Sequence, residues 1–274
     1  MKLLSGNSAL VMGVLNVTPD SFSDGGSFFD KDTALRRAVE MAGEGADIID
    51  VGGESTRPGA KEVRCDEEIR RVIPVIEELA GRVNAAISID TRKSKVAEAA
   101  LKAGASVIND VSGLRHDKDM AAVAAKYGAG MILMHMKGLP ENMQDSCEYS
   151  DLIGEIKENL RISANEAFKA GVKKSFVAID PGIGFGKTVE QNLEILNRLD
   201  EFRDLGLPIC IGTSRKSFIG KLLGSQATDD RLAGTIAACV AALIKGARIL
   251  RVHDVKAIKD SVTITEKILE AKSG

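Results

Sequence analysis

Eight polar stops punctuate the chain, each directly after a short apolar run: Asn16, Gly52-Gly53-Glu54, Asp90, Asn109-Asp110, His135, Asp180, Gly212-Thr213 and His253. Carboxylates and amides such as Asp180 and Asn109 complement a ligand edge that is rich in N–H donors. Cations and hydroxyls, here Arg57, Lys216, Arg251, His253, Thr56 and Ser214, suit an anion instead. Asn16 offers a side-chain carbonyl oxygen, a hard donor for Mg2+. A carboxylate buried on a strand end, as expected of Asp90 and Asp110, can pair with Lys216 or steady a developing positive charge.

Two glycine-rich segments sharpen this picture. Gly52-Gly53-Glu54-Ser55-Thr56-Arg57-Pro58-Gly59 lets backbone approach a ligand closely and adds Thr56 and Arg57 as anion donors. Asp180-Pro181-Gly182-Ile183-Gly184-Phe185-Gly186-Lys187-Thr188 imitates a phosphate loop but fails its spacing, because the position that must be glycine is Pro181. It reads better as a turn that leaves Asp180 facing a site and Phe185 free to pack on a flat ligand. Arg215 has two readings, a donor at that site or half of a solvated charged pair with Lys216. His253 can also be a merely packed histidine, His116 reads as a loop residue, and His135 suits a hydrogen-bonding wall.

The elements that must hold these residues are short β-branched runs: Ala9–Val14, Ile48–Val51, Ala86–Ile89, Ser106–Ile108, Met131–Met134, Phe176–Ile179, Pro208–Ile211 and Arg248–Val252. Between them apolar residues recur at helical spacing, as in Leu35, Ala38, Val39 and Ala42, in Ile69, Val72, Ile73 and Ile76, and in Leu232, Ile236, Cys239 and Leu243. Pro74 inside the second of these predicts a kink or a late start. Eight strand–helix units, each ending in a polar group, favour a closed (β/α)8 barrel over an open sheet, since a barrel brings all eight carboxyl ends to one mouth. No linker, repeat or low-complexity tract divides the chain, so residues 1–274 read as one catalytic domain.

Composition bounds the partners. With 37 basic and 39 acidic residues, the net charge of -2 gives the molecule no general attraction to nucleic acid or anionic membrane. The four cysteines, Cys65, Cys147, Cys210 and Cys239, lack C-x-x-C spacing and read as reduced thiols. Neither a secretory leader nor an apolar run of membrane-spanning length occurs, and a cytoplasmic location is expected.

Over nearly its whole length the chain resembles the dihydropteroate synthase family of pterin-binding enzymes. The resemblance rests on Asn16–Gly26, Asp50–Gly59, Ser88–Arg92, Ile108–Gly113, Met134–Gly138, Asp180–Lys187, Gly212–Gly220 and Arg251–Val255, in the family's order. It implies a transferase of folate biosynthesis that joins p-aminobenzoate to 6-hydroxymethyl-7,8-dihydropterin pyrophosphate and releases pyrophosphate, with sulfonamides as p-aminobenzoate mimics. By the same resemblance Asn109, Asp180, Lys216, Met134, Phe185 and Gly212 bind the pterin. Asn16, Thr56, Arg251 and His253 grip the pyrophosphate, and Mg2+ sits between Asn16 and phosphate oxygens. Thr56, Arg57, Pro58, Phe185, Ser214 and Lys216 frame p-aminobenzoate, while Asp90 and Lys216 are catalytic. The resemblance also suggests a homodimer formed through outer helices. The nearest alternative, a pterin-dependent methyltransferase, has little use for the Ser55–Pro58 and Ser214–Lys216 clusters. Two polar loops, Val17–Gly26 and Gly53–Arg64, are expected to be loosely held until pyrophosphate orders them, so that Phe22, Pro58 and Ser214 then complete the aryl-amine pocket. The tract Lys137–Tyr149 departs from the family in having Ser146-Cys147 where a proline is usual.

Overall fold

The fold is seen in a computed structural model that describes residues 8–18, 31–56, 59–138, 143, 147–225 and 227–271. Eight strands, β1 (Leu10–Asn16), β2 (Ile48–Gly52), β3 (Ala86–Asp90), β4 (Val107–Asp110), β5 (Gly130–Met134), β6 (Val177–Asp180), β7 (Ile209–Ile211) and β8 (Ala247–Val252), pair in parallel and in sequence order. β8 closes on β1 through Leu10 opposite Ile249 and Met12 opposite Arg251. This is the closed barrel expected from the alternation of strand and helix. The helices around it are α1 (Lys31–Gly43), α2 (Cys65–Leu79), α3 (Ser94–Ala103), α4 (Met120–Tyr127), α5 (Leu152–Lys169), α6 (Val189–Asn197), α7 (Ser217–Leu223), α8 (Leu232–Ile244) and α9 (Val255–Glu270).

Both faces of a barrel strand are covered, one by helices and one by the other strands, which is why β2 and β5 are buried at every position. Outward residues such as Val11, Ile49, Ile89, Leu133 and Leu250 join the helix stripes in one core. Inward residues Leu10, Met12, Ile48, Val107, Ile132, Ala178, Cys210 and Ile249 fill the barrel as a separate apolar layer. Two residues beyond that layer come Asp50, Asn109, Met134, Asp180, Gly212 and Arg251, because inward positions recur every second residue.

Strand ends differ from the sequence reading by one or two residues. β4 includes Asn109 and Asp110, which were expected just past its end, and β6 begins after a 3-10 turn at Lys174–Phe176. α2 starts at Cys65 and carries Pro74 in its interior, so the predicted late start does not occur. Burial of Val72, Val75, Ile76 and Leu79 outweighs the single hydrogen bond that proline removes. In α1 and α8 the predicted stripes hold at Leu35, Ala38 and Cys239, whereas Val39 and Leu232 turn outward. The four cysteines are free thiols, as their spacing implied. Among the described residues no helix is long and apolar enough to cross a membrane.

Candidate active site

Strand register gathers the first part of the site. Asp90 ends β3 opposite Gly52 of β2 and Asn109 of β4, and Asp50 lies one inward position below. Fully buried Asp50 uses one oxygen, Oδ2, to accept from Arg251 Nε at 2.7 Å and from Asn109 Nδ2 at 3.0 Å. Arg251 Nη2 donates in turn to Asp90 Oδ2 at 2.7 Å. Among the described residues, Asp50 Oδ1, Asp90 Oδ1 and Ser88 Oγ are buried without a hydrogen-bond partner. Such groups are costly in a closed core, and a surplus of acceptors at a barrel mouth points to a donor-rich ligand. Burial pushes the Asp90 carboxyl up to about 7; Arg251 opposes the rise and Asp50 adds to it. Burial alone would lower the Arg251 guanidinium, but Asp50 and Asp90 hold it above its ordinary range, so it stays charged.

β6 and the turn after β7 supply the opposite wall. Buried Asp180 accepts from Gly182 N at 2.7 Å through Oδ1, and burial raises its carboxyl. Lys216 Nζ lies 4.1 Å from the centre of the Phe185 ring. Burial and the nearby Arg251 bring Lys216 down to about 8, against the pull of Asp180 and Asp90. Phe185 and Met134 pack with Val111, Met136 and Met143 in a small buried apolar cluster, and Met134 stands opposite Asp180 across β5 and β6.

Beneath this wall, β5 is held by backbone. Gly113 and Gly182 both have positive φ, and a Cβ on either would run into the carbonyl oxygens of Met134 and His135, respectively. His135 N donates to Asp180 O at 2.9 Å, and Lys187 Nζ lies 3.1 Å from His135 Nδ1 and donates to Phe185 O at 3.0 Å. Burial, then Lys187, Arg115 and Lys137, drive the imidazole down to about 2, so it is neutral and accepts from Lys187. His135 therefore supports the site through its bonds to Asp180 O and Lys187. Burial likewise lowers Lys187 to about 7.

The anion-facing residues lie at the ends of β1, β8 and β7. Asn16 closes β1, and His253 follows β8 with its ring Nδ1 3.1 Å from Ser214 Oγ, which also accepts from His253 N at 3.1 Å. Thr56 is half-buried in the loop after β2, and Gly212 lies against Arg251. Arg215 is not a solvated charge beside Lys216: its guanidinium is held in a part-buried ion pair, donating to Asp254 at 3.0 and 2.6 Å. The Arg215 carbonyl oxygen accepts from Arg231, and its φ of 58° turns the side chains of Arg215 and Lys216 apart. Arg57, Pro58 and Phe22, with residues 19–30, 139–142 and 144–146, lie outside the described residues. So does most of the variant tract around Ser146.

Residues that sequence reasoning passed over include Asp50 and Ser88. Their signal was present: each stands two positions past an inward residue of its strand, Ile48 and Ala86, where the inward face turns polar. Among the described residues no group of three or more His, Cys, Asp or Glu side chains could hold a metal.

A family model described as pterin binding enzyme matches residues 12–253. The chain is 46% identical to a dihydropteroate synthase of Synechocystis over 96% of its own length and 91% of that protein. Its fold is similar to a Clostridium difficile dihydropteroate synthase solved in the presence of pteroic acid, with a TM-score of 0.91 and 49% identity over 97% of this chain and 98% of that one. A Xanthomonas albilineans dihydropteroate synthase solved with 4-aminobenzoic acid gives a TM-score of 0.91 and 42% identity over 97% and 95%.

Proposed function

Because the chain belongs to the pterin-binding enzyme family, we propose that its barrel mouth joins p-aminobenzoate to 6-hydroxymethyl-7,8-dihydropterin pyrophosphate, making 7,8-dihydropteroate for folate synthesis. One observation carries this assignment: a fixed array of acceptors, Asp50, Asp90 and Asp180 with the amide of Asn109, faces an apolar wall of Met134 and Phe185. A flat aminopyrimidine ring that presents several N–H groups at its edge satisfies both.

In this reading Asp180 and Asn109 take the pterin's donor edge, Lys216 donates to its carbonyl side, and Met134 and Phe185 border the ring. Gly212 leaves room beside Arg251 for the ring to approach. The carbon–oxygen bond to pyrophosphate breaks as the amine nitrogen forms its bond to the same methylene carbon, and the amine loses one proton. Positive charge grows at that carbon, and Asp90, ionised above about pH 7, is the carboxylate that steadies it. Arg251 has committed Nε and Nη2 to Asp50 and Asp90, which leaves Nη1 to turn toward the leaving group with His253, Asn16 and Thr56. Thr56, Arg57, Pro58, Phe185, Ser214 and Lys216 frame the aryl amine, and sulfonamides compete there.

Mg2+ fits this site only in a shared manner. Asn16 supplies one hard oxygen, and phosphate oxygens of the substrate would share the ion with it. When bound, the ion neutralises charge on the departing pyrophosphate. A strong chelator should lower turnover and added Mg2+ restore it.

The reading extends to the whole chain as one catalytic domain working in the cytoplasm, where its four free thiols stay reduced. It also extends to a homodimer. A cavity between α6, α7 and α8 is lined by Leu193, Leu222, Leu223 and Ile244, all exposed in the single chain. The test of the function is pyrophosphate release with both substrates present. Lys216→Ala should lower the rate and raise the KM for p-aminobenzoate while the fold survives, and an unchanged rate and KM would remove Lys216 from the site.

A further inference from the structure

Behind the mouth, the loop after β2 is tied down by charges that the reaction itself does not use. Glu54, next to the glycine pair, is buried, and its Oε1 accepts from Arg92 Nη2 at 2.5 Å. Its Oε2 accepts from Lys93 Nζ at 2.6 Å and from Val63 N at 2.8 Å. Lys93 also donates to Glu68 Oε2 of α2 at 2.8 Å, and Glu68 is fully buried. One carboxylate therefore closes the base of the loop: it stands at residue 54, where the chain leaves β2, and holds residue 63, where it turns toward α2. Arg71 Nη1 adds a bond to Gly53 O at 2.9 Å.

Glu54 and Glu68 stand against Arg92 and Lys93, with Glu62 a further carboxylate 3.9 Å from Lys93; burial raises the Glu68 carboxyl, and the hydrogen bond from Lys93 opposes the rise. Although burial works to raise Glu54, hydrogen bonds from Lys93 and Arg92 hold it below its ordinary value, and it stays ionised. Arg92 and Lys93 follow Asp90 and Thr91 directly in the loop after β3. The cluster thus binds the Thr56 loop to the loop that carries the Asp90 carboxylate. Neither Glu54 nor Lys93 is among the residues assigned to either substrate, yet a polar tether inside a core is expensive to keep without a task.

We propose that Glu54, latched by Arg92 and Lys93, is a positioning residue that sets the aryl-amine loop against the reacting carbon, and so governs p-aminobenzoate use but not pterin binding. The proposal rests on the reading that the loop around Thr56 frames p-aminobenzoate. Glu54→Gln keeps the shape and its bond from Val63 but removes the charge, and Lys93→Met removes the bridge to α2. Each should raise the KM for p-aminobenzoate on the order of tenfold, the scale on which misplacement of a binding group acts. Because Thr56 also reaches the pyrophosphate, the control is 6-hydroxymethyl-7,8-dihydropterin without pyrophosphate, whose affinity by calorimetry should stay unchanged, and Lys93→Arg should restore much of the loss. A second readout is tryptic cleavage after Lys61 and Arg64 in the loop, which should speed up in both variants.

An unaltered KM in a folded Glu54→Gln protein, or an equal loss of pterin affinity, overturns the latch. Thr56→Ala separates this from failure of the underlying reading. If Thr56→Ala leaves the KM for p-aminobenzoate untouched, the loop does not frame that substrate. If Thr56→Ala raises it and the Glu54 and Lys93 variants do not, the loop is placed by something other than the latch.

Discussion

Ile48 and Asp50 both point into the barrel from β2, separated by one residue, yet they belong to different chemical worlds. The same step leads from Val107 to Asn109, from Ala178 to Asp180 and from Ile249 to Arg251. The lower layer is apolar and packs as one cluster, with only the Cys210 thiol seen to reach up to Asp180, whereas the upper layer carries carboxylates, an amide and a guanidinium, several of their atoms without a partner among the described residues. The lower layer stabilises the barrel by filling it. The upper one is a cost to folding, because buried polar atoms without partners lose their hydration. That cost is recovered when a ligand supplies the missing donors. The difference shows how one strand serves both stability and binding with no change in backbone geometry.

The largest effect that can break this division is a cavity in the lower, apolar layer. Ile132→Ala should destabilise the protein by about 2–5 kcal/mol, read as a drop in the denaturant midpoint, with pterin affinity nearly unchanged in the folded fraction. A marked loss of affinity would show that the two layers are mechanically one. Next in size, Asp180→Asn should weaken pterin pyrophosphate binding by about 1–3 kcal/mol, measured by calorimetry. Its midpoint should move little or even rise, because a buried carboxylate disappears; a clear fall in stability would place Asp180 among the supports of the fold.

Proton linkage sharpens the contrast further. Asp90 titrates near 7 and Lys216 near 8, so kcat/KM should climb as Asp90 ionises through pH 7 and decline as Lys216 loses its proton above 8. Asp90→Asn should abolish the acid limb, and its survival in that variant would assign it to substrate or to another group. The smallest effect concerns Lys187. Burial lowers it to about 7 against an ordinary 10.5, so between those values the unfolded chain holds more protons than the folded one. Its contribution to stability therefore grows as pH rises from 7 toward 10 and is lost as pH falls through 7. Lys187→Met should flatten that slope in melting curves, and an identical slope would mean that Lys187 keeps its charge.

Much of this was legible in the sequence. Each of the eight apolar runs coincides with a strand to within a residue or two, and Asn16, Asp90 and Asp180 end their strands, while Glu54 turns back into the cluster with Arg92 and Lys93. Asn109 and Asp110 were read as lying beyond β4 because polar residues ordinarily end a buried strand; here their side chains find partners at the mouth, and pairing continues through them. Asp50 was hidden for a related reason. Flanked by Ile49 and Val51, it looks like an interruption of an apolar run, and the guanidinium that makes its burial tolerable is 201 residues away. Long-range ion pairs of this kind leave no local trace. Arg215 shows the same limit: beside Lys216 in the sequence it reads as a solvated charge, while Asp254 across the next strand holds it.

The glycines that press on β5 have a consequence for heredity. At Gly113 and Gly182 any side chain meets a main-chain oxygen, so point mutations there damage the protein before they can remodel the pterin wall. Under selection by a poison that mimics p-aminobenzoate, that side of the site offers few viable routes. The loop after β2 is fastened through side chains, Glu54 to Arg92 and Lys93, and single base changes can retune such fastenings by degrees. Drug escape in this lineage should therefore accumulate along residues 54–64 and their tethers, while the codons for Gly113 and Gly182 stay silent.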